Sequence, residues 1–252
     1  MSNTEKLQTL INGISAMPED NYDVGYEAGK ADGITEGFAE GQAAGNALTT
    51  SILNRTVTSV PKEVLEGVAS IGDYFFNGCK QLTDIDLPKS ITTINQYAFN
   101  ACSSLVSIDL SNIKTINGYY AFGGCTKLKS ADLSSLTNKD ITGHCFRGAS
   151  SLESVIFPSI LETIGSNAFA GCNLKSIDLP ATIKSLYNAC FSGNTKLETI
   201  IIRATTPPSI ESTVFIQSSN IKQVIVPQGC ADAYKSATNW SKYADIIIEG
   251  DF

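Results

Sequence analysis

The side chains able to do covalent or acid-base chemistry are few in kind. His144 is the only histidine among 252 residues, so a Ser-His-Asp relay would have to be built on it. Seven cysteines (Cys79, Cys102, Cys125, Cys145, Cys172, Cys190 and Cys230) supply thiols. None belongs to a Cys-x-x-Cys pair, the spacing that zinc and dithiol redox chemistry use. Asp86, Asp109, Asp132 and Asp178 recur in steps of 23 residues or twice that, too far apart for one helix face. Spacing of this kind sets them at equivalent places in successive units. There is no Gly-x-x-x-x-Gly-Lys loop to cradle phosphate. The glycines Gly25, Gly29, Gly33, Gly37, Gly41 and Gly45 do not follow a strand, so they make no dinucleotide fingerprint. We therefore expect a protein that is not an enzyme and carries no cofactor and no metal.

What positions these residues is a repeat. Phe76, Phe99, Phe122, Phe146, Phe169, Phe191 and Phe215 recur about every 23 residues, varying by one, the signature of a stacked solenoid. The unit reads Ile-Gly-x-x-Ala-Phe-x-Gly-Cys-x-x-Leu-x-x-Ile-Asp-Leu-Pro. Its second half appears as Leu82/Ile85/Leu87, Leu105/Ile108/Leu110, Leu174/Ile177/Leu179 and their counterparts. The last two apolar residues stand two apart, the period of a strand with one face buried. Pro88, Pro158, Pro180 and Pro227 then end the strand, because proline lacks the amide hydrogen. One unit cannot bury its own apolar face. Stacking sets each Phe over the next at one strand spacing, about 4.8 Å. The expectation is a parallel strand ladder on one face and turns or short helical turns around Ala-Phe on the other. Cys79, Cys102, Cys125 and Cys172 fall three residues after the Phe, and Cys145 and Cys190 one before it. Those places call for a small buried side chain, which a free thiol fills.

The block Ile164-Gly165-Ser166-Asn167-Ala168-Phe169-Ala170-Gly171-Cys172, with Leu174 to Pro180, resembles the BspA-type, or Treponema-type, leucine-rich repeat. Thr206-Pro207-Pro208 and the stretch from Val226-Pro227 to Ile248 resemble the way that family closes. The resemblance covers about residues 56–250. It implies a curved, non-enzymatic binding scaffold, known in bacterial surface adhesins and phage-encoded proteins, and it carries over no catalytic residue. Some units depart from the pattern. The third has an extra residue at Gly118-Tyr119-Tyr120, the fourth has Thr142 and Ala149 for Gly and Cys, and the last two have Asn194 and Ser218 for Cys.

The net charge of −7 is uneven: residues 1–60 hold three Lys/Arg against eight Asp/Glu, residues 61–252 hold 15 against 17. Without a basic stripe, nucleic acid is not an expected partner. No apolar run approaches a membrane span. The first 20 residues lack the basic start and apolar core of a secretory signal, so folding in a reducing compartment is the expectation.

Residues 1–50 read as a separate helical anchor. Leu7, Leu10, Ile11 and Ile14 line one face of a short amphipathic helix. The glycines at every fourth place could line a groove for close helix approach, or the segment could be a flexible linker. Tyr22-Asp23-Val24-Gly25-Tyr26-Glu27-Ala28-Gly29 resembles a leader that precedes this repeat type in phage-encoded proteins. The expected organisation is an assembly segment over 1–50, a seven-repeat solenoid over 51–227 and a C-terminal cap over 228–252.

Two columns are candidate binding surfaces. Tyr74, Tyr97, Tyr120 and His144 stand two residues before successive motif Phe residues, and rows of rings suit sugar or protein surfaces. Equally, they could simply lid the core. Asp86, Asp109, Asp132 and Asp178 point outward from the strands, either as an acidic strip or as a solvated face. The resulting expectation is a phage virion component, in tail, fibre or capsid. It would assemble with other virion parts or its own copies through the leader and meet a host protein or glycan through the solenoid. A bacterial adhesin or effector, or a purely structural virion part, is the alternative.

Overall fold

The computed structural model describes residues 51–52 and 54–251. The expected leader, with Leu7, Leu10, Ile11, Ile14 and the glycines from Gly25 to Gly45, lies outside them. Fifteen short strands, numbered in chain order, pair in five sheets that follow one another along two interrupted ladders, and every pairing among the described residues is parallel.

The first ladder comes mainly from the Leu-x-x-Ile-x-Leu half, although the copy Leu105/Ile108/Leu110 forms no strand. It contains β1 (Ser59–Val60), β3 (Asp84–Ile85), β6 (Ser130–Asp132), β8 (Ser154–Ile156), β10 (Ser176–Leu179), β12 (Thr199–Ile202), β14 (Gln223–Pro227) and β15 (Ile247–Gly250). In register, Ile177 faces Ile200, Ile200 faces Val224, and Val224 faces Ile247. All four are buried, so alternation sends the intervening residues outward.

The second ladder runs through the residues just before the Gly of the motif. It holds β2 (Ser70–Ile71), β4 (Thr93–Ile94), β5 (Thr115–Ile116), β7 (Asp140–Ile141), β9 (Thr163–Ile164), β11 (Ser185–Leu186) and β13 (Ser209–Ile210). Each contributes one buried aliphatic residue and one hydroxyl or carboxyl residue. The hydroxyls of Thr93 and Thr115 meet at 2.9 Å, as do those of Ser185 and Ser209.

Between the second ladder and the next strand of the first lies the Phe turn. The rings stack at 5.0–5.8 Å and within 16° of parallel, from Phe76 to Phe215. Six of them are wholly buried. Each ring taken from water contributes roughly 1.5–3 kcal/mol, and the aliphatic columns from both ladders complete one continuous core.

The turns are also stitched by backbone hydrogen bonds. The Phe76 N–H donates to the Ala98 carbonyl at 2.8 Å, Phe99 to Ala121 at 2.8 Å, Phe122 to Cys145 at 2.8 Å and Phe146 to Ala168 at 2.7 Å. The N–H groups two residues before and two after Phe146 do the same: His144 to Ser166 at 2.9 Å, and Gly148 to Ala170 at 2.8 Å. Alternate N–H groups point along one direction because the residues at both flanking places have positive φ. The turn is therefore a third rail of inter-repeat bonds, and no helix is needed there.

At the end of the array, helix Ala231–Ser236 and the 3-10 helix Ser241–Ile246 place Tyr234, Trp240 and Tyr243 over the last core layer. Trp240 and Tyr243 lie 6.2 and 5.9 Å from Phe215. Their polar atoms are used: Tyr234 Oη donates to the Ala204 carbonyl at 2.7 Å and Trp240 Nε1 to the Pro208 carbonyl at 2.8 Å.

The cysteines of the core do more than fill space. The thiols of Cys102, Cys125 and Cys172 donate to the carbonyls of Phe76, Phe99 and Phe146 at 3.1, 3.1 and 3.3 Å. Asn194 Nδ2 and Ser218 Oγ stand at the same place in later turns and donate to the Phe169 and Phe191 carbonyls, each at 2.9 Å. The column therefore keeps a donor when it loses its sulfur. Burial pushes the Cys79, Cys125 and Cys172 thiols up to about 12, so these are protonated and poor nucleophiles.

Candidate functional site

The residue two before each motif Phe is left-handed in six successive turns. Its φ is 58° at Tyr74, 54° at Tyr97, 56° at Tyr120, 60° at His144, 57° at Asn167 and 54° at Ala189. The residue two after each Phe is left-handed as well, in all seven turns, and there glycine occupies five places (Gly78, Gly124, Gly148, Gly171 and Gly193). A left-handed backbone costs a residue with a Cβ roughly 1–2 kcal/mol, which explains the glycines. At the earlier place the same requirement holds, yet glycine never appears and four turns carry rings.

Those rings form a second stack, separate from the buried one. Tyr74 and Tyr97 lie 4.6 Å apart at 6°, Tyr97 and Tyr120 5.1 Å apart at 17°, and Tyr120 and His144 4.6 Å apart at 13°. All four are half-buried. Each stacked pair is worth about 0.5–1.5 kcal/mol, no more than the left-handed backbone takes from each ring. The ladder thus gives the fold little net stability.

His144 ends the stack. Its pKa is held below the ordinary 6.5, first by partial burial and then by the Arg147 guanidinium nearby, so it is neutral at pH 7. Its Nδ1 is buried without a hydrogen-bond partner among the described residues. Arg147 Nη1 donates to Tyr120 Oη at 3.0 Å. The side-chain neighbours of His144 include the Tyr119 and Tyr120 rings and the Arg147 guanidinium.

The aspartate column divides into two kinds. Asp109 and Asp132 accept hydrogen bonds from the N–H groups of Ser111 and Ser134, two residues on, at 2.9 and 3.0 Å. These bonds tie the chain where it leaves the strand, and they hold the Asp132 carboxyl below its usual range, the serine hydroxyl contributing most. After Asp86 and Asp178 the corresponding residue is Pro88 or Pro180, which has no N–H to give. Asp178 instead forms a two-pronged pair with Arg203 from the next turn, Nε to Oδ1 at 2.8 Å and Nη2 to Oδ2 at 2.9 Å. Register places Ile156 beside Asp132 and Ile201 beside Asp178. The row is therefore interrupted, with half of its acids in local use, rather than an unbroken acidic strip.

Other inter-turn ion pairs appear only in the folded register. Glu162 sits between Lys139 and Lys184 at 2.9 and 2.6 Å, and Lys175 meets Glu153 at 2.6 Å. Among the described residues no group of histidine, cysteine and carboxylates is placed to hold a metal ion. No helix there is long and apolar enough to cross a membrane.

Two lines of parallel strands and a buried Phe column define a leucine-rich-repeat solenoid. The sequence matches the BspA type leucine rich repeat region in six copies, over residues 56–140 and 120–245, and the chain belongs to that family. It matches no curated protein. Among solved structures it is similar to a leucine-rich repeat protein from Bacteroides ovatus, with 25% identity, 69% of this chain and 56% of that one covered, and a TM-score of 0.44. It is also similar to a leucine rich cell surface protein from Faecalibacterium prausnitzii, with 19% identity, 68% and 59% covered, and a TM-score of 0.52. A T. pallidum leucine-rich repeat protein shares 25% identity over 69% of this chain and 66% of that one, with a TM-score of 0.41. The chain thus spans a little over half the length of the first two.

Proposed function

We propose that this chain is a non-enzymatic binding protein that uses its solenoid as a rigid display surface, carried on a phage particle and turned toward the host. The observation that carries the binding role is the ring ladder from Tyr74 to His144. Four turns keep a ring where glycine would relieve the backbone, and the rings are half-buried and stand outside the buried core. A half-exposed row of stacked rings offers rigid apolar area with polar tips, which suits a protein or glycan partner. The phage particle is supported by the leader, with glycine at every fourth place from Gly25 to Gly45, and by its likeness to leaders found before this repeat in phage-encoded proteins. In this reading residues 1–50 join the chain to other virion parts or to further copies of itself.

A second reading places the same surface on a bacterial cell. It draws on the family and on the Faecalibacterium prausnitzii structure, which is described as a cell surface protein.

Two experiments test these readings. Antibody raised against residues 56–227 should decorate purified phage particles at a tail, fibre or capsid site; labelling of the bacterial envelope alone would favour the second reading. Fluorescently labelled protein should bind host cells, and Tyr97→Ala with Tyr120→Ala should abolish that binding. Full binding by the double variant would remove the ladder from the function.

A further inference from the structure

We propose that the insertion in the third repeat builds a site for an acidic sugar, with Tyr119 as its stacking platform and Arg147 as its anion anchor. This rests on the binding role above and narrows the ligand to one chemical class.

The extra residue in Gly118-Tyr119-Tyr120 puts two tyrosines side by side where other turns have one ring or none. Tyr120 stays in the ladder. Tyr119 is displaced beside it and is 57% exposed, the most open of the large apolar side chains among the described residues. Its ring reaches down over the next turn. A Cβ at Gly143 would come within 3.0 Å of Tyr119 Cε1 and 3.1 Å of the Ser166 carbonyl oxygen. The fourth turn therefore has glycine where its neighbours have Gln96, Ser166 and Asn188. Insertion and glycine fit each other: one presents a ring, and the other makes the space in which it lies.

The result is a corner. Tyr119 and His144 have ring centres 6.3 Å apart and planes inclined at 57°, whereas the ladder rings are near parallel. Arg147 is exposed and reaches the two rings beside Tyr119, with one of its N–H groups on Tyr120 Oη and its guanidinium near His144. It has no carboxylate partner among the described residues, unlike Arg203 on Asp178. A guanidinium carries five N–H donors, so the remaining ones can form the two-pronged contact that a carboxylate favours.

These parts together describe a ligand. An exposed ring face takes the C–H face of a pyranose, the tyrosine hydroxyls donate to and accept from its hydroxyl groups, and a guanidinium at the edge selects a ring bearing a carboxylate. A neutral sugar would leave Arg147 unused, and a flat apolar protein surface would leave its charge unpaired.

The test uses the full chain and calorimetric titration with two probes, trigalacturonate and sialyllactose, beside their neutral counterparts, the methyl esters of each. At least one acidic probe should bind saturably, and its neutral counterpart should bind at least ten-fold more weakly. Tyr119→Ala and Arg147→Ala should each weaken the acidic probe at least ten-fold with the circular dichroism unchanged. Tyr187→Ala, which removes another exposed tyrosine, should leave binding as it was. No binding of either acidic probe, equal binding of a neutral counterpart, or binding unaffected by Tyr119→Ala would each overturn the proposal. If the chain still binds host cells in any of those cases, the binding role stands and only the ligand class fails. If cells and sugars are both ignored, the two fall together.

Discussion

Substitutions at Tyr97 separate the cost of its backbone from the gain of its ring. Tyr97 has a φ of 54° and stacks on Tyr74 at 4.6 Å and Tyr120 at 5.1 Å. Alanine and glycine both lose the two ring pairs, so each variant begins about 1–3 kcal/mol below the parent. Alanine keeps the left-handed cost of roughly 1–2 kcal/mol. Glycine sheds it, although its freer unfolded chain takes back about 0.5–1 kcal/mol. Tyr97→Gly should therefore be more stable than Tyr97→Ala by about 0.5–1 kcal/mol. At Tyr187, which has no positive φ, the order should invert, because glycine there carries only its entropic penalty. Ala189, with φ of 54° and no ring to lose, gives the same answer alone: Ala189→Gly should raise stability. Urea unfolding followed by circular dichroism would measure the five variants beside the parent. An alanine variant more stable than the glycine variant at position 97 would refute the claim that this column is strained.

Three further outcomes follow from the same geometry. In the native protein only Cys230, the one thiol that is not buried, should react quickly with Ellman's reagent, and all seven should react in urea; prompt release of several equivalents from the folded chain would contradict the buried thiol column. His144 should titrate by NMR with a midpoint below 6.5, and Arg147→Ala should recover only part of the shift, since burial is the larger cause. Because the folded pKa lies below the unfolded one, the unfolded chain binds the proton first, so this residue's contribution is present above pH 6.5 and lost as pH falls through the folded value; a His144→Asn variant whose stability falls as much over that window would show that other groups are responsible. Removing residues 1–50 should leave a solenoid with unchanged Trp240 fluorescence that no longer self-associates or joins particles, and failure of that fragment to fold would end the two-part description.

Much of the fold was legible because the repeat states the same requirement seven times. Each unit has one Phe that only a shared core can bury, and each Leu-x-x-Ile-x-Leu half ends in two apolar residues in alternation. The second ladder was not legible, since strands such as Thr93–Ile94 hold two residues and cannot display a period. Left-handed backbone at Tyr74, Tyr97 and Tyr120 left no mark either, because glycine and asparagine are the residues that announce it and only Asn167 does so here. Two signals were present and went unread. Asn194 and Ser218 replace cysteine with other donors, which pointed to a bond as well as a volume. Serine follows two residues after Asp109 and Asp132 where proline follows Asp86 and Asp178, which separated turn-tying acids from the others. The partnership of Asp178 with Arg203 needed the register between turns, which no single unit contains.

The unbroken buried column is what the whole account requires, and Phe122 is its middle ring, wholly buried between Phe99 at 5.3 Å and Phe146 at 5.0 Å. Phe122→Ala should cost roughly 3–5 kcal/mol. Since each turn touches only its neighbours, the gap should also uncouple the two ends of the array. Circular dichroism, which reads every turn, and the fluorescence of Trp240, which reads the C-terminal end, should give one shared urea transition in the parent and two distinct ones in the variant. A loss below about 1 kcal/mol, with both signals still coincident, would contradict a continuous spine.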